Sequence, residues 1–393
     1  MKIALITTTN LNVITGRDNN VRTRIRYLSK IKDIDLDVYL FRHQDDFLLR
    51  LLKRRKKQYK TDSENIDGVN CKNLWLNYSF IDALFTYVLK LKDMICRKQL
   101  ELLVPSFSKY DIILAHTLEG KYIAYNVKMR YAIPYINGWH GSDINIIPYR
   151  SKKIFELHKK IIANADFNLF VSKALLIKSN EIVDSNNKGV SYSGISPNFT
   201  NYDSITKQNI KSKYQLNNRY VIGFVGRLLP IKNVFILPKI FKKLQENIED
   251  VSFVIVGDGE LANRLQNAMK KNAINRCHFL GKIDPKEMPK IMNCLDVLIL
   301  PSLNEGLPLV TIEAMACGVN VVGSKVGGTP EAIGEKNVFA IDANFVENIS
   351  NRIIDILRKG KSLPSISNEF SWDKTIDDVV SKCKEIVYKK HNK

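Results

Sequence analysis

Short apolar runs alternate with polar stretches of helical periodicity along the whole chain. The apolar runs predict strands, and the periodic stretches predict helices. In the first half, a polar, Gly-containing loop at 10–20 separates the first predicted strand from the first helix. The elements predicted there are strand 2–8, helix 21–31, strands 36–41, 112–115 and 135–137, helix 152–163 and strand 168–171. This alternation predicts a parallel sheet covered by helices on both faces.

The alternation stops at the turn-forming stretch 193–199 and the Asn- and Lys-rich segment that continues to Arg219. A second series follows, with strands at 220–225, 252–256, 278–280, 297–300 and 320–323 and helices at 233–247, 261–272, 285–293 and 310–316. At 393 residues, the chain exceeds the size at which a single hydrophobic core usually stops growing. We therefore predict an α/β fold of two Rossmann-like, doubly wound domains, 1–195 and 196–370, facing a central cleft.

The composition is that of a globular protein, with 45% hydrophobic and 25% charged residues and no low-complexity tract. No apolar run reaches the ~18 residues that a membrane-spanning helix needs, and the first apolar run is too short for a signal peptide. We therefore expect a cytoplasmic protein. The six cysteines form neither a C-x-x-C pair nor a zinc-finger spacing with histidine, so free thiols are expected.

Basic residues are in excess, since 60 Lys and Arg stand against 40 Asp and Glu for a net charge of +20. Much of the excess lies in segment 47–60, FLLRLLKRRKKQYK, in the more basic first half. Such a segment suits an anionic membrane, where each basic residue contributes about 1 kcal/mol, but a solvated helix end has the same pattern. Nucleic-acid binding is the weaker alternative, because the aromatic residues that follow indicate an amphipathic helix or a core stripe rather than a stacking platform. These aromatic residues are Trp75, Tyr78, Phe80, Phe85 and Tyr87.

Three alternating aspartates, Asp33, Asp35 and Asp37, have a D-x-D spacing that can hold a divalent metal. They run directly into the β-like stretch 38–40. We therefore expect them to face water from a helix-to-strand connection, and we predict no metal site.

Two loops that follow predicted strands of the second half carry glycines and charges. Parallel sheets bind ligands beyond the carboxyl ends of their strands. After strand 220–225 come Gly226 and Arg227, with Lys232 further on, and an arginine fork with a lysine ammonium suits a diphosphate. After strand 252–256 comes Gly257-Asp-Gly259, which turn geometry alone explains.

The stretch Asn304-Glu-Gly-Leu-Pro-Leu-Val-Thr-Ile-Glu-Ala314 follows the apolar strand 297–300. Gly306 to Pro308 form a tight turn with free backbone N–H groups, and a helix is predicted to begin near Val310. A helix N-terminus next to a glycine is an anion site. Glu305 precedes the turn and Glu313 lies in the first turn of that helix, so the two carboxylates can hold hydroxyls on either side of a bound phosphate.

These motifs occur in a fixed order: G-R-L-x-x-x-K, G-D-G, P-S-x-x-E-G-x-P-x-x-x-x-E-A-x-A-x-G and G-G-x-x-E, from Val221 to Glu331. This order resembles the nucleotide-sugar domain of glycosyltransferase family 4 (glycosyl transferases group 1), and within it the bacterial surface-polysaccharide enzymes. The resemblance implies the GT-B architecture, a retaining hexosyltransferase-type reaction and a nucleoside-diphosphate sugar, UDP- or GDP-linked, as donor. It also implies that the predicted final helix, 371–393, crosses back to the first domain. The pattern of this segment is by itself that of an amphipathic helix capped by Ser371, which also predicts a buried Trp372.

The resemblance assigns roles within the second half. Arg227 and Lys232 neutralise the diphosphate, Glu313 binds the ribose and Glu305 binds the transferred sugar. Backbone amides of Gly306 to Leu309 hold the distal phosphate and the sugar. The complete predicted donor set, which includes the turn beside the base and one position in the first half, is Gly16, Gly226, Arg227, Lys232, Gly281, Lys282, Ile283, Glu305, Gly306, Leu307, Pro308, Leu309 and Glu313.

In the first half the match is looser. His140-Gly-Ser-Asp143 matches an H-G-S-D motif whose histidine faces the donor sugar, and His116 also ends a strand, on the predicted acceptor side. Many family members have a Gly-Gly pair in the first loop, where this chain has Gly16-Arg17, and the usual Asn-Gly hinge is Ser193-Gly194 here. The predicted catalytic residues are thus His140, Arg227, Lys232 and Glu305.

The implied mechanism needs no metal and no cofactor, because the cations and the helix N-terminus stabilise the leaving diphosphate. The leaving phosphate itself assists deprotonation of the acceptor. The expected acceptor is a glycan or a polyprenyl-diphosphate-linked glycan at the inner face of the cytoplasmic membrane, and no nucleic acid is expected. Two alternatives stay open: a nucleotide-sugar 2-epimerase of the same architecture, and a basic, non-enzymatic nucleic-acid-binding protein.

Overall fold

The computed structural model describes residues 1–8, 16–52, 59–82, 97–360 and 363–392. The chain forms two compact units. Unit 1 comprises Met1–Ser191 and Trp372–Lys393, and unit 2 comprises Tyr192–Ser371. The chain thus passes from unit 1 into unit 2 between Ser191 and Tyr192, slightly before the predicted boundary between residues 195 and 196.

Unit 1 is built on an eight-stranded sheet in the order β3-β4-β2-β1-β5-β6-β7-β8. Its strands are β1 Lys2–Thr7, β2 Asp35–Asp45, β3 Ser63–Ile66, β4 Val69–Tyr78, β5 Ile112–Ala115, β6 Tyr135–Trp139, β7 Phe167–Phe170 and β8 Lys188–Val190. All neighbours pair in parallel except β3, which pairs antiparallel with β4 at the edge.

Helices cover both faces of this sheet. They are α1 Gly16–Leu28, α2 Phe47–Leu52, α3 Arg97–Leu103, α4 Leu118–Tyr131, α5 Ser142–Asn145, α6 Lys152–Asn164, α7 Lys173–Ser179 and the last helix of the chain, α15 Trp372–His391. Successive side chains of β1 pack on opposite faces of the sheet. Ile3 and Leu5 pack with α1 and α15, whereas Ala4 and Ile6 pack with α4. Burial on both faces explains why the central strands are continuous apolar runs.

Unit 2 has a six-stranded, parallel sheet in the order β11-β10-β9-β12-β13-β14. Its strands are β9 Tyr220–Val225, β10 Val251–Val256, β11 Cys277–Gly281, β12 Val297–Leu300, β13 Asn320–Ser324 and β14 Val338–Phe339. Its helices are α8 Ser204–Lys213, α9 Leu237–Asn247, α10 Ala262–Lys271, α11 Met288–Cys294, α12 Leu309–Ala316, α13 Thr329–Ile333 and α14 Phe345–Arg358. The predicted α/β class with parallel, helix-covered sheets is confirmed.

Several elements differ from the prediction. Helix α1 begins at Gly16, inside the predicted loop 10–20, because Asp18 places an acidic side chain in the first turn, where the helix dipole favours it. Helix α9 begins at Leu237 rather than at Asn233, because Asn233 takes a left-handed conformation between two short 3₁₀ turns.

The pair β3–β4 was not predicted from the sequence. Trp75 and Tyr78, predicted to belong to an amphipathic helix or a core stripe, lie on β4, while Phe85 and Tyr87 lie outside the described residues. In β4, apolar residues neither alternate nor run continuously, since Asn and Lys interrupt them, and this weakens the strand pattern.

Asp33 and Asp35 are exposed, as predicted, but the side chain of Asp37 is only 22% exposed, contrary to the prediction. Its carboxylate accepts a hydrogen bond from the Tyr110 hydroxyl at 2.5 Å and binds the Lys72 ammonium at 2.7 Å. Burial raises the pKa of this carboxyl, but the hydrogen bonds from Lys72 and Tyr110 outweigh burial and lower it below its usual value. Asp37 is therefore a structural residue at the amino end of its strand.

Two further features bear on the predictions from composition. Among the described residues, none of the helices combines the length and apolar character needed to cross a membrane. Free thiols are found at Cys71, Cys277, Cys294, Cys317 and Cys383, and Cys96 lies outside the described residues.

Candidate functional site

The loops after the strands of unit 2 are joined into one surface at the carboxyl edge of the sheet. Each loop is linked to the next along the sheet by a backbone hydrogen bond. These bonds run from Leu228 N–H to Asp258 O at 2.9 Å, from Gly257 N–H to Gly281 O at 2.8 Å, from Leu303 N–H to Ile231 O at 2.8 Å and from Gly328 N–H to Gly306 O at 3.0 Å. Loops that are separate in sequence therefore hold one another in place.

Two glycines permit this close approach. A side chain at Gly257, where φ is +126°, would place its Cβ 1.9 Å from the carbonyl oxygen of Gly226. At Gly327, where φ is +48°, the Cβ would lie 1.8 Å from the carbonyl oxygen of Glu305. Both positions combine a backbone conformation that favours glycine with a contact that excludes any side chain. The G-D-G turn thus serves loop packing, in agreement with the turn-geometry interpretation.

Lys232 and Glu305 form an ion pair across two of these loops. The Lys232 ammonium lies 2.6 Å from a Glu305 carboxylate oxygen, and the two side chains are only 21% and 11% exposed. The pair connects the loop after β9 with the loop after β12. Each residue therefore fixes the position of the other at the edge of the sheet.

Arg227 differs from Lys232 in having no partner. It is exposed directly beyond β9, and its guanidinium makes no hydrogen bond or ion pair with any side chain or carbonyl of the described residues. An arginine fork in this state offers its full set of donors to an anion.

Helix α12 begins one residue earlier than predicted, at Leu309. Glu313 consequently lies beyond the first turn, not in it as the sequence predicted. Pro308 precedes the helix in an extended conformation, and no side chain caps the helix. The backbone N–H groups of Leu309 and Val310 have no acceptor among the residues that the structure describes. Such uncapped N–H groups at a helix start are suited to an anion.

Glu313 is half-buried and has no hydrogen-bonding or cationic partner within the described parts of the chain. Burial raises the pKa of its carboxyl to about 7. A carboxylate held in this way without protein donors is suited to accept hydrogen bonds from a ligand.

The predicted base-side turn follows β11. Gly281 has φ of +64° with open space around it, Lys282 is exposed, and Ile283 packs against the apolar core below the loops. Gly226, the first residue beyond β9, donates its N–H to Val256 O at 3.0 Å. The predicted residues of unit 2 thus lie on the loops at one sheet edge and in helix α12.

In unit 1, the strands β5 and β6 end beside two histidines. The Nδ1 atom of His116 and the Nε2 atom of His140 lie 3.0 Å apart, so one ring donates a hydrogen bond to the other. Gly138 makes room for this pair, because a Cβ at that position would lie 2.2 Å from His116 Nδ1. The structure thus brings together the two histidines that the sequence singled out.

The turn that follows β6 is held by Asp143. One carboxylate oxygen accepts hydrogen bonds from the N–H groups of His140 and Gly141, each at 2.9 Å, and the other oxygen lies 2.8 Å from the Lys121 ammonium. Burial by itself raises the pKa of Asp143, but the charges of Lys121 and His140 together with the hydrogen bonds lower it to about 2. Lys121 was not predicted, because a single lysine within a helix has no distinguishing pattern in sequence.

The remaining predicted positions are Gly16, the basic stretch 53–58 and Ser193-Gly194, which belong to other parts of the chain. Gly16 is the first residue of α1, and the loop 9–15 before it lies outside the described residues, as does the basic stretch 53–58. Ser193-Gly194 lies in a segment without regular secondary structure at the start of unit 2. In the described ranges, no three or more His, Cys, Asp or Glu residues are grouped to hold a metal ion.

Comparison with known proteins confirms the resemblance found in the sequence. Residues 206–370 match the model of glycosyl transferases group 1. The putative teichuronic acid biosynthesis glycosyltransferase TuaC of Bacillus subtilis is 28% identical over 56% of this chain and 54% of its own length. The UDP-Gal:alpha-D-GlcNAc-diphosphoundecaprenol alpha-1,3-galactosyltransferase of Escherichia coli is 34% identical over 39% of this chain and 41% of its own length.

These alignments thus span about half the length of the curated relatives. Among solved structures, Anabaena Alr3699/HepE in complex with UDP superimposes with a TM-score of 0.73 at 19% identity, over the full length of both chains. The likeness extends to both units and shows the GT-B fold. The resemblance found in the sequence is therefore confirmed: residues 206–370 match the glycosyl transferases group 1, and both named relatives are glycosyltransferases.

Proposed function

We propose that this protein is a retaining glycosyltransferase that moves a sugar from a nucleoside-diphosphate sugar to a hydroxyl of a glycan or lipid-linked glycan in bacterial surface polysaccharide biosynthesis. The observation that carries the proposal is the unsatisfied state of the loop surface on unit 2, where Arg227, Glu313 and an uncapped helix start lie without partners among the described residues. The relatives named for teichuronic acid synthesis and for a diphosphoundecaprenol acceptor support the pathway class.

The charges fit a nucleoside diphosphate. Arg227 and the free N–H groups of α12 provide donors for the phosphates. The ammonium of Lys232 is shared with Glu305 and can contact a phosphate oxygen without leaving its partner, because an ammonium has three donors. Glu313 accepts from ribose hydroxyls and Glu305 from the hydroxyls of the transferred sugar. UDP is the first nucleotide to test, since HepE was solved with UDP.

Catalysis follows from the same contacts. When the glycosidic bond breaks, negative charge develops on the leaving diphosphate, and donors aimed at that charge lower the barrier. The leaving phosphate takes the proton of the acceptor hydroxyl while the acceptor oxygen bonds to the anomeric carbon. Because this bond forms on the face that the phosphate leaves, the anomeric configuration is kept. His140 contacts the sugar in this scheme. Neither a metal nor a cofactor is required.

The test of the donor site is a calorimetric binding screen of UDP, GDP, ADP and their sugars in EDTA. Arg227→Ala and Glu313→Ala are expected to abolish binding of the one nucleotide that the wild type selects. Arg219→Ala is the matched control for the arginine, because Arg219 lies directly before β9, at the opposite end of the strand that Arg227 follows. Binding retained in both site variants, or binding that requires a divalent metal, would contradict the proposed donor site.

A membrane surface is the proposed second partner. The basic residues on which it was predicted, Lys53 to Lys57, lie outside the described residues, but the neighbouring described residues support it. The side chains of Phe47, Leu48, Leu51, Leu52, Phe80 and Ile81 are all exposed. Asp46 connects helix α2 with the segment that follows β4. Its carboxylate accepts hydrogen bonds from the N–H of Leu49 at 2.8 Å and from the N–H of Phe80 at 2.6 Å. An exposed apolar patch of this kind is typical of an interaction surface.

The patch stands at the same sheet edge as the histidine pair, since it follows the carboxyl ends of β2 and β4. Three strand spacings separate β2 from β6, which is about 14 Å at the usual distance between strands. A lipid-linked acceptor held by a bilayer at the patch thus has its sugars within reach of His140.

Vesicle sedimentation tests this partner. The triple variant Leu48→Ser, Leu51→Ser and Leu52→Ser is expected to lose most of its binding to phosphatidylglycerol vesicles, because each buried CH₂ contributes about 0.8 kcal/mol. The control is Ile205→Ser with Leu363→Ser, which removes two exposed apolar side chains of unit 2. Equal binding by the triple variant and the control would refute the membrane surface.

A further inference from the structure

Two lysine–aspartate pairs lie along helix α4, one at each end of strand β6. Near the start of the helix, Lys121 pairs with Asp143 at 2.8 Å, and in its last turn Lys128 pairs with Asp166 at 2.8 Å. Each aspartate also accepts a hydrogen bond from the backbone of β6 or the turn that follows it, Asp166 from Tyr135 N–H at 2.9 Å and Asp143 from His140 N–H at 2.9 Å.

The two lysines nevertheless have opposite surroundings. Lys128 keeps 27% exposure and lies near the helix C-terminus, where the helix dipole favours a cation. The side chain of Lys121 is 0% exposed, near the helix N-terminus, where the dipole disfavours it. Its ammonium lies 3.5 Å from the centroid of the Trp139 ring.

Stability alone does not explain a buried cation at that position. Desolvation of an ammonium is costly, and apolar replacement of a buried ion pair is often neutral or stabilising. The pair can instead hold the turn after β6 in one conformation. One side of the Asp143 carboxylate is bound by Lys121, and the other side by the successive N–H groups of His140 and Gly141.

We propose that Lys121 is a positioning residue for His140, acting through Asp143. Lys121 fixes the Asp143 carboxylate, the carboxylate fixes the His140–Gly141 turn, and the hydrogen bond to His116 fixes the orientation of the His140 ring. This role rests on the proposed function, in which His140 contacts the transferred sugar. The Lys121 side chain is fully buried, so its role is to position rather than to bind a substrate.

The experiment compares Lys121→Met with Lys128→Met in the full-length protein. Methionine keeps the length and apolar stem of the side chain and removes the charge. Lys121→Met is expected to lower kcat by roughly 10²-fold, since a displacement of about 1 Å costs that much, while the KM for the donor and the Kd for UDP stay unchanged. Lys128→Met is expected to leave kcat unchanged, although it removes an ion pair from the same helix.

A double-mutant cycle distinguishes positioning from general damage. In the His140→Ala background, Lys121→Met should cause no further loss of kcat, because the side chain that it positions is gone. An equal loss with and without His140, or equal losses from the two lysine variants, would overturn the positioning role.

A second variant covers the case in which Lys121→Met does not fold. Asp143→Asn keeps an oxygen acceptor for the two N–H groups but cannot form the ion pair, and it should lower kcat in the same direction. An Asp143→Asn enzyme with wild-type kcat overturns the role while leaving the proposed function intact. A wild-type protein that binds UDP but transfers no sugar to any acceptor overturns the proposed function instead.

Discussion

Charged groups near the carboxyl ends of the strands are paired with one another in unit 1, whereas two of those in unit 2 have no partner among the described residues. In unit 2, Arg227 and Glu313 have no partners among the described residues, and burial raises the Glu313 pKa to about 7. In unit 1, Lys121, Asp143 and the two histidines are bound to one another, and the Asp143 pKa is about 2.

The difference separates two kinds of functional residue. Charges left without protein partners at a sheet edge cost free energy in the empty protein, and a ligand of complementary charge recovers it. The paired charges of Lys121 and Asp143 instead hold a neighbour, His140, in place. The first kind predicts loss of ligand binding on substitution, and the second kind predicts loss of turnover with binding preserved.

The largest effect is expected at Arg227. Arg227→Ala should lower kcat/KM for sugar transfer by about 10²-fold or more, because it removes donors that face the charge of the leaving diphosphate. The melting temperature should not fall, since the guanidinium makes no hydrogen bond or ion pair within the described residues. The comparison fails if turnover stays at the wild-type level, or if Arg219→Ala, at the other end of β9, reduces it equally.

The Lys232–Glu305 pair has features of both kinds of residue. Its two charges bind each other, as in unit 1, but they lie on the proposed donor surface of unit 2. Lys232→Met leaves a largely buried carboxylate without its cation and should lower the free energy of unfolding by about 2 kcal/mol. Adding Glu305→Gln should restore most of that loss, because no unpaired charge remains. Denaturant unfolding of the two single variants and the double variant measures this coupling, and additive losses would show that the pair is not coupled.

Sequence reasoning succeeded where local pattern and chemistry coincide. Apolar strands with both faces buried, such as β9 and β12, are recognisable as runs, and the charged loops that follow them carry the family motifs. It failed where tertiary contacts decide. Asp37 is bound by Tyr110, Lys121 by Asp143, and β4 depends on pairing with β2, and none of these partners is adjacent in sequence.

The smallest change in stability is expected at Glu313, whose unpaired carboxylate can be tested by its pH dependence. Because the pKa of its carboxyl is raised to about 7 in the folded protein, the folded state holds a proton that the unfolded state releases at pH values above about 4.5. Stability therefore falls as pH rises from about 4.5 to 7. A pKa shift of this size corresponds to about 3 kcal/mol for a fully buried group. Solvent screening at the half-buried side chain reduces the effect, so Glu313→Gln should be more stable than the wild type at pH 8 by about 1 kcal/mol.

Nucleotide binding should respond to pH in the opposite direction, because only the ionised Glu313 accepts hydrogen bonds from both ribose hydroxyls. The wild-type affinity for UDP should decline below pH 7, approaching tenfold per pH unit, which corresponds to about 1.4 kcal/mol. In Glu313→Gln the affinity should be lower at pH 8 and nearly independent of pH. Calorimetric titration from pH 5.5 to pH 8.5 decides the matter. A variant that keeps the wild-type pH profile would show that another group titrates at this surface, and that Glu313 is a buried carboxyl without a ligand.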